Sequence, residues 1–127
     1  MSELIYPKLS YSIMGAVFEV YNELGYGYQE KVYQKALAIN FENKHIIFRE
    51  QVKTDLIYEN KLIGKYFLDF LVENKIILEL KIGDHFFKKD YEQIRDYLTA
   101  NKLELGILIL FSKNGVKSKR ILCKQNK

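Results

Sequence analysis

The stretch "LDFLVENKIILELK", residues 68–81, decides how the chain is read. Its apolar residues would build two strands around a tight turn, "VENK" at 72–75, yet Asp69, Glu79 and Lys81 stand among them. Side chains on a strand alternate faces, so Glu79 and Lys81 project to one side and Ile76, Leu78 and Leu80 to the other. Asp69 should likewise oppose Leu68 and Phe70. A turn centred on Asn74 sets Asp69 directly across from Glu79, with Cβ atoms about 4.5–5.5 Å apart, where like charges destabilise a sheet. A two-residue turn would separate the acids. Two facing carboxylates need a compensating charge. A divalent metal is the economical candidate, because Mg²⁺ favours one or two carboxylates plus waters and phosphate oxygens. Lys81, one pleat beyond Glu79, would reach the same phosphate as a compact positive charge. That combination suits phosphodiester hydrolysis. The simpler alternative is an exposed sheet face on which Lys81 neutralises two acids.

Outward from this hairpin, the patterning alternates between helical and strand periods. Ile13, Ala16, Val17, Val20 and Leu24 follow helical spacing over 12–24, with Ser10 or Ser12 as cap and Gly25 as stop. A second helix runs from near Gln29 to about Asn43, burying Val32, Ala36, Leu37 and Phe41. Strands are expected at 46–58, 62–72 and 75–82, joined by the turns "YENK" at 58–61 and "VENK". Residues 88–101 read as a helix that turns Ile94, Tyr97 and Leu98 inward. "LELGILILF" at 103–111 is the run expected of a strand covered on both faces. Residues 119–123 suit a final edge strand. The order is ααβββαββ, an α/β fold with a mixed sheet flanked by helices.

At 127 residues the chain is expected to form one domain, 1–127, with a core that needs no staples. One cysteine excludes an internal disulfide and a cysteine-rich zinc site. The N-terminal "MSELIYPKLS" lacks the pattern of a signal peptide, and no apolar run approaches the roughly 20 residues that cross a bilayer. A soluble cytoplasmic protein without membrane contact is expected. From Leu105 onward there are six basic residues and no acidic one, leaving 14 basic against 16 acidic residues before it. A basic tail on a near-neutral body suits a polyanion such as nucleic acid, or is simply a solvated terminus.

Asp, about ten residues, then Glu-x-Lys on a hairpin resembles the PD-(D/E)xK nuclease superfamily. That superfamily's helix, three strands, helix and strand match the order read here. Gly27, Glu30 and Tyr33, in "LGYGYQEKVYQKAL" at 24–37, have the spacing that names the GxxExxY family. "REQV", "IGKYFLDFLVENKIILELK", "QIRDYL", "LGILILF" and "KRI" follow in that family's order. The superfamily's proline is replaced here by Leu68.

The resemblance implies a restriction-endonuclease-like core and metal-dependent hydrolysis of nucleic acid, with DNA favoured over RNA. Asp69, Glu79 and the Leu80 carbonyl would hold Mg²⁺ or Mn²⁺, and Lys81 would be the catalytic lysine. Glu30 would complete the acidic cluster. Glu30 and Tyr33 share a helical face, so Glu30 can look over the sheet, although a first-turn glutamate also suits the helix dipole. Gln93 and Tyr97, one turn apart, would position substrate together with Tyr33, while Lys119 and Arg120 would grip flanking phosphates. His85 follows the Glu-x-Lys strand and reads as a solvated loop residue or a phosphate contact; His45 reads as a turn residue. A homodimer would suit cutting of both strands, though no residue points to one. The rival reading is a non-catalytic module that binds nucleic acid or protein on the same scaffold.

Overall fold

The computed structural model describes residues 5–124. Its elements are α1 (Pro7–Leu24), α2 (Glu30–Asn43), β1 (Phe48–Tyr58), β2 (Lys61–Val72), β3 (Ile76–Ile82), α3 (Lys88–Asn101), β4 (Leu105–Ser112) and β5 (Gly115–Leu122). The five strands lie side by side in chain order. All neighbours are antiparallel except β3 and β4, which α3 connects in parallel. The expected ααβββαββ order and mixed sheet are therefore present.

Two apolar layers enclose the sheet. On one face, Ile13, Val17, Leu37 and Phe41 from α1 and α2 pack on Phe70, Leu78, Leu80 and Ile109. On the other, Ile94, Tyr97 and Leu98 from α3 pack on Leu68, Ile77 and Leu108. Every residue of β4 is buried, as its continuous apolar run demands. Gly106 has a steric reason. A Cβ there would lie 2.4 Å from Ile94 Cγ2 and 2.8 Å from Ile77 Cγ2, so α3 can approach the sheet only over a glycine. Among the described residues, no helix is long and apolar enough to cross a membrane.

Two element starts and one core position differ from the sequence expectation. α1 starts at Pro7 rather than Ser12, because proline at the first helical position is preset for the helix. Val32 is 38% exposed, and Tyr33 takes its place in the core. β5 starts at Gly115, extending four residues further toward the turn than expected.

The irregularity that matters for the site lies in β1. Gln51 has φ 51°, left-handed backbone inside a strand. The flanking pairs Glu50–Phe70 and Val52–Leu68 keep one register, which sets Gln51 opposite Asp69 without regular pairing. Alternation reverses at this step. Phe48, Phe70 and Val72 face α1 and α2, whereas Val52, Tyr66 and Leu68 face α3. The expectation that Leu68 and Phe70 share a face is thus corrected, and Asp69 sits where the face switches.

Candidate active site

The turn after β2 has three residues, and Lys75 N–H closes it on the Val72 carbonyl at 2.9 Å. This odd-numbered loop gives the register inferred from the sequence, with Phe70 opposite Leu78 and Val72 opposite Ile76. The ladder stops there. Beyond it β2 pairs only with β1, and β3 only with β4, so the two strands part at Asp69 and Glu79. The two carboxylates replace the missing ladder bonds. Glu79 Oε1 accepts the Asp69 N–H at 3.0 Å, and Asp69 Oδ2 accepts the Leu80 N–H at 2.7 Å.

Both acids are only 5% exposed. Burial, then the Asp69 charge, push the Glu79 carboxyl up to about 8, against the opposing Lys81. Burial also raises Asp69, against the opposing help of the Leu80 N–H, Glu79, Lys81 and the Gln51 amide. Near neutral pH the pair therefore retains a proton. Lys81 supplies the nearest cation, with Nζ 3.3 Å from Glu79 Oε2 and 3.7 Å from Asp90 Oδ1. Burial alone would lower its pKa, but the charges of Glu79, Asp90 and Glu30 outweigh burial and hold it above its usual value. Lys81 is a fixed ammonium, suited to donate hydrogen bonds and unsuited to act as a base.

Asp90 is the residue that the sequence reading missed. It is buried at the third position of α3, and its Oδ2 accepts the Phe87 N–H at 3.0 Å. The other oxygen faces Lys81. An acid at that position is an ordinary helix-start signal, and nothing in the sequence showed that α3 begins beside Lys81.

Glu30 is the first residue of α2 and half-buried. Burial raises its pKa, Asp69 and Asp90 add to the rise, and Lys81 opposes it. It therefore shares the electrostatic field of the pair. Gly27 has φ 122°, a region that favours glycine, in the loop that delivers α2. Tyr33 needs correction as a substrate contact. It is fully buried, stacked on Phe111 at 4.3 Å, and its hydroxyl donates to the Gly25 carbonyl at 2.6 Å. It bolts the α1–α2 loop to the core.

On the α3 side, Tyr97 is also core, with burial raising its hydroxyl pKa. Gln93 is half-buried, and its carbonyl accepts the Tyr66 hydroxyl at 2.6 Å. Tyr66 was not anticipated. Burial, then Asp96 and Glu79, push its phenol up to about 12, so it stays a neutral donor beside the acids. Arg120 donates to Ser10 Oγ at 2.8 Å and to the Ile5 carbonyl at 2.9 Å, pinning α1. Arg120 and exposed Lys119 stand on β5, the far edge strand, with β4 between them and β3. His45 has φ 59° at the end of α2, the turn position expected, and exposed His85 packs on Phe87 at 4.7 Å.

The donors suit a divalent cation. Two buried carboxylates present hard oxygens and hold a proton that a cation would displace. Leu80 meets the pair through its amide. Among the described residues no three His, Cys, Asp or Glu side chains converge to hold an ion, so Glu30 flanks the pair and does not close a triad.

Comparison with known proteins adds to this geometry. No curated protein matches the chain in sequence. Among solved structures, the crystal structure of SSO0001 superimposes with a TM-score of 0.51 at 13% identity, covering 94% of this chain and 79% of that one. An alkaline exonuclease (LHK-Exo) from Laribacter hongkongensis gives 0.50 at 11% identity, covering 98% and 73%. These likenesses concern the fold. A family model, that of the PD-(D/E)XK nuclease superfamily, matches residues 7–121, which include the parted strands and both helices that meet them. By that match the chain belongs to the PD-(D/E)XK nuclease superfamily.

Proposed function

We propose that the protein is a divalent-metal-dependent nuclease that hydrolyses nucleic-acid phosphodiester bonds, with DNA as the favoured substrate. The observation that carries this reading is the buried Asp69–Glu79 pair at the point where β2 and β3 part, beside a lysine held positive. A merely structural ion pair would need one acid, whereas here a second carboxylate is buried against the first, and their repulsion raises the pKa of Glu79. The spacing of Gly27, Glu30 and Tyr33 supports the narrower GxxExxY assignment, with Tyr33 as its structural bolt.

Asp69 and Glu79 would hold the cation, with the Leu80 carbonyl as a further oxygen and Glu30 at its margin. Bound there, Mg²⁺ or Mn²⁺ would neutralise the pair and act as a Lewis acid on the phosphate. Lys81 would donate hydrogen bonds to the attacking water or a phosphate oxygen, which develops negative charge in the transition state. Asp90 would keep that ammonium aimed. Tyr66 and Gln93 would border the substrate.

The test is incubation with supercoiled, linear and single-stranded DNA and with RNA, each with and without Mg²⁺ or Mn²⁺. Metal-dependent cleavage that Glu79→Gln and Lys81→Ala both remove is expected. Binding without cleavage of any of the four substrates would favour a non-catalytic binding module on the same fold.

A further inference from the structure

Beside the acidic pair lies a cleft of about 480 Å³ between α2 and β1, lined by Lys31, Gln34, Lys35, Glu50 and Gln51. Its floor is a chain of amides. Gln51 Nε2 donates to Gln34 Oε1 at 3.1 Å, and Gln34 Nε2 donates to Glu50 Oε1 at 3.3 Å. Gln51 stands opposite Asp69 across β1 and β2, so the cleft borders the strand that carries the site. Left-handed backbone at a glutamine inside a strand is strained and persists where the surroundings impose it. Here it turns the amide toward α2. Lys31 and Lys35 stand one turn apart on the exposed side of α2, with no ion-pair partner among the described residues. Glu50, the acid of the cleft, is occupied by Gln34.

Phe67 pairs with Lys53, two residues along β1 from Gln51. It precedes Asp69 by two residues, is 47% exposed, and alternates with Leu68, so it lies on the face away from α3. That is the face on which α2 sits.

We propose that this cleft binds one unpaired strand of nucleic acid next to the scissile phosphate. Lys31 and Lys35 would contact its phosphates, the amides would meet the edges of one base, and Phe67 would stack the next. The inference rests on the proposed nuclease reading for the position of the scissile phosphate. Three observations select a single strand over a duplex. The volume falls in the ~300–1,000 Å³ range of pockets for small ligands, which suits one nucleotide. The donors and acceptors of the floor would read base edges that pairing conceals. An exposed aromatic ring stacks only on an unstacked base.

The experiment is fluorescence anisotropy in EDTA with a labelled oligothymidylate of about 12 nucleotides, a length within the ~4–16 that small single-strand-binding folds cover. The same length of duplex serves as comparison. Lys31→Ala with Lys35→Ala should weaken single-strand binding and lower its salt slope by about 1.4, at roughly 0.7 for each lost contact. Phe67→Ala should cost about 5- to 150-fold, and Gln51→Gly, which keeps the left-handed backbone, should weaken the same binding. Duplex affinity should stay unchanged throughout. Equal losses on duplex, unchanged single-strand affinity in these folded variants, or no single-strand binding by the wild type would overturn the cleft. Cleavage is read separately in Mn²⁺. A wild type that cuts DNA while its strand affinity ignores the cleft overturns the cleft alone. One that binds the strand in the cleft and cuts nothing overturns the nuclease reading and leaves the cleft in place.

Discussion

Glu79 accepts the Asp69 amide with one oxygen and faces Lys81 with the other, so the proton it keeps is set by a fixed environment. Its folded pKa lies above the usual 4.5, at about 8. The folded chain therefore holds a proton that the unfolded chain releases in this window. The contribution to stability is full below about 4.5 and is lost as pH rises toward 8. In EDTA, thermal unfolding of the wild type should show this decline, and Glu79→Gln should flatten it while still accepting the Asp69 amide. The variant should then melt above the wild type at pH 8.5 and close to it at pH 4. A wild-type profile that rises across the window would contradict the buried, protonated Glu79. Asp90 allows a second test. Asp90→Asn can still accept the Phe87 amide but removes one charge from Lys81. We expect kcat to fall by a few-fold to about tenfold, where tenfold corresponds to ~1.4 kcal/mol, with KM and the thermal midpoint little changed. An unaltered kcat would show that Glu79 alone aims the lysine.

At the level of elements, the parted hairpin and two helix starts make the site, and their supports are individually testable. Gly106→Ala would drive a Cβ into Ile94 and Ile77. Overpacking of this kind costs about 1–3 kcal/mol, which should lower the urea midpoint while leaving the slope unchanged. Tyr33→Phe removes one hydrogen bond to Gly25 and should cost about 0.5–1.5 kcal/mol. The hairpin was legible in the sequence because its register depends on local turn chemistry. Glu73 and Asn74 both take left-handed backbone, which asparagine tolerates in a tight turn. The face switch was not legible. Alternation was read as unbroken, and no local signal marks Gln51 as left-handed. Asp90 and Tyr66 were missed for a related reason, since each meets the site only after α3 docks on the sheet. Tyr33 was legible as a position in a motif but misread in role, because a spacing does not say which way a ring turns.

On the scale of the whole molecule, charge had been expected to mark the substrate path through the C-terminal basic residues. The sheet order separates them from the site: β5 is one edge and the acidic pair lies between β2 and β3. Arg120→Ala should therefore destabilise the docking of α1 by about 1 kcal/mol, the scale of the hydrogen bonds it donates. Nucleic-acid affinity and its salt slope should not change in Arg120→Ala or Lys119→Ala. A flattened slope would return β5 to the substrate path. The central claim is that Asp69 and Glu79 hold a cation while Lys81 serves the phosphate, and calorimetric titration with Mn²⁺ tests it most directly. The wild type and Lys81→Ala should bind the ion with similar affinity, because a protonated amine offers no lone pair, and Glu79→Ala should bind none. Loss of binding in Lys81→Ala, retained binding in Glu79→Ala, or no binding by the wild type at millimolar Mn²⁺ would contradict that division of roles.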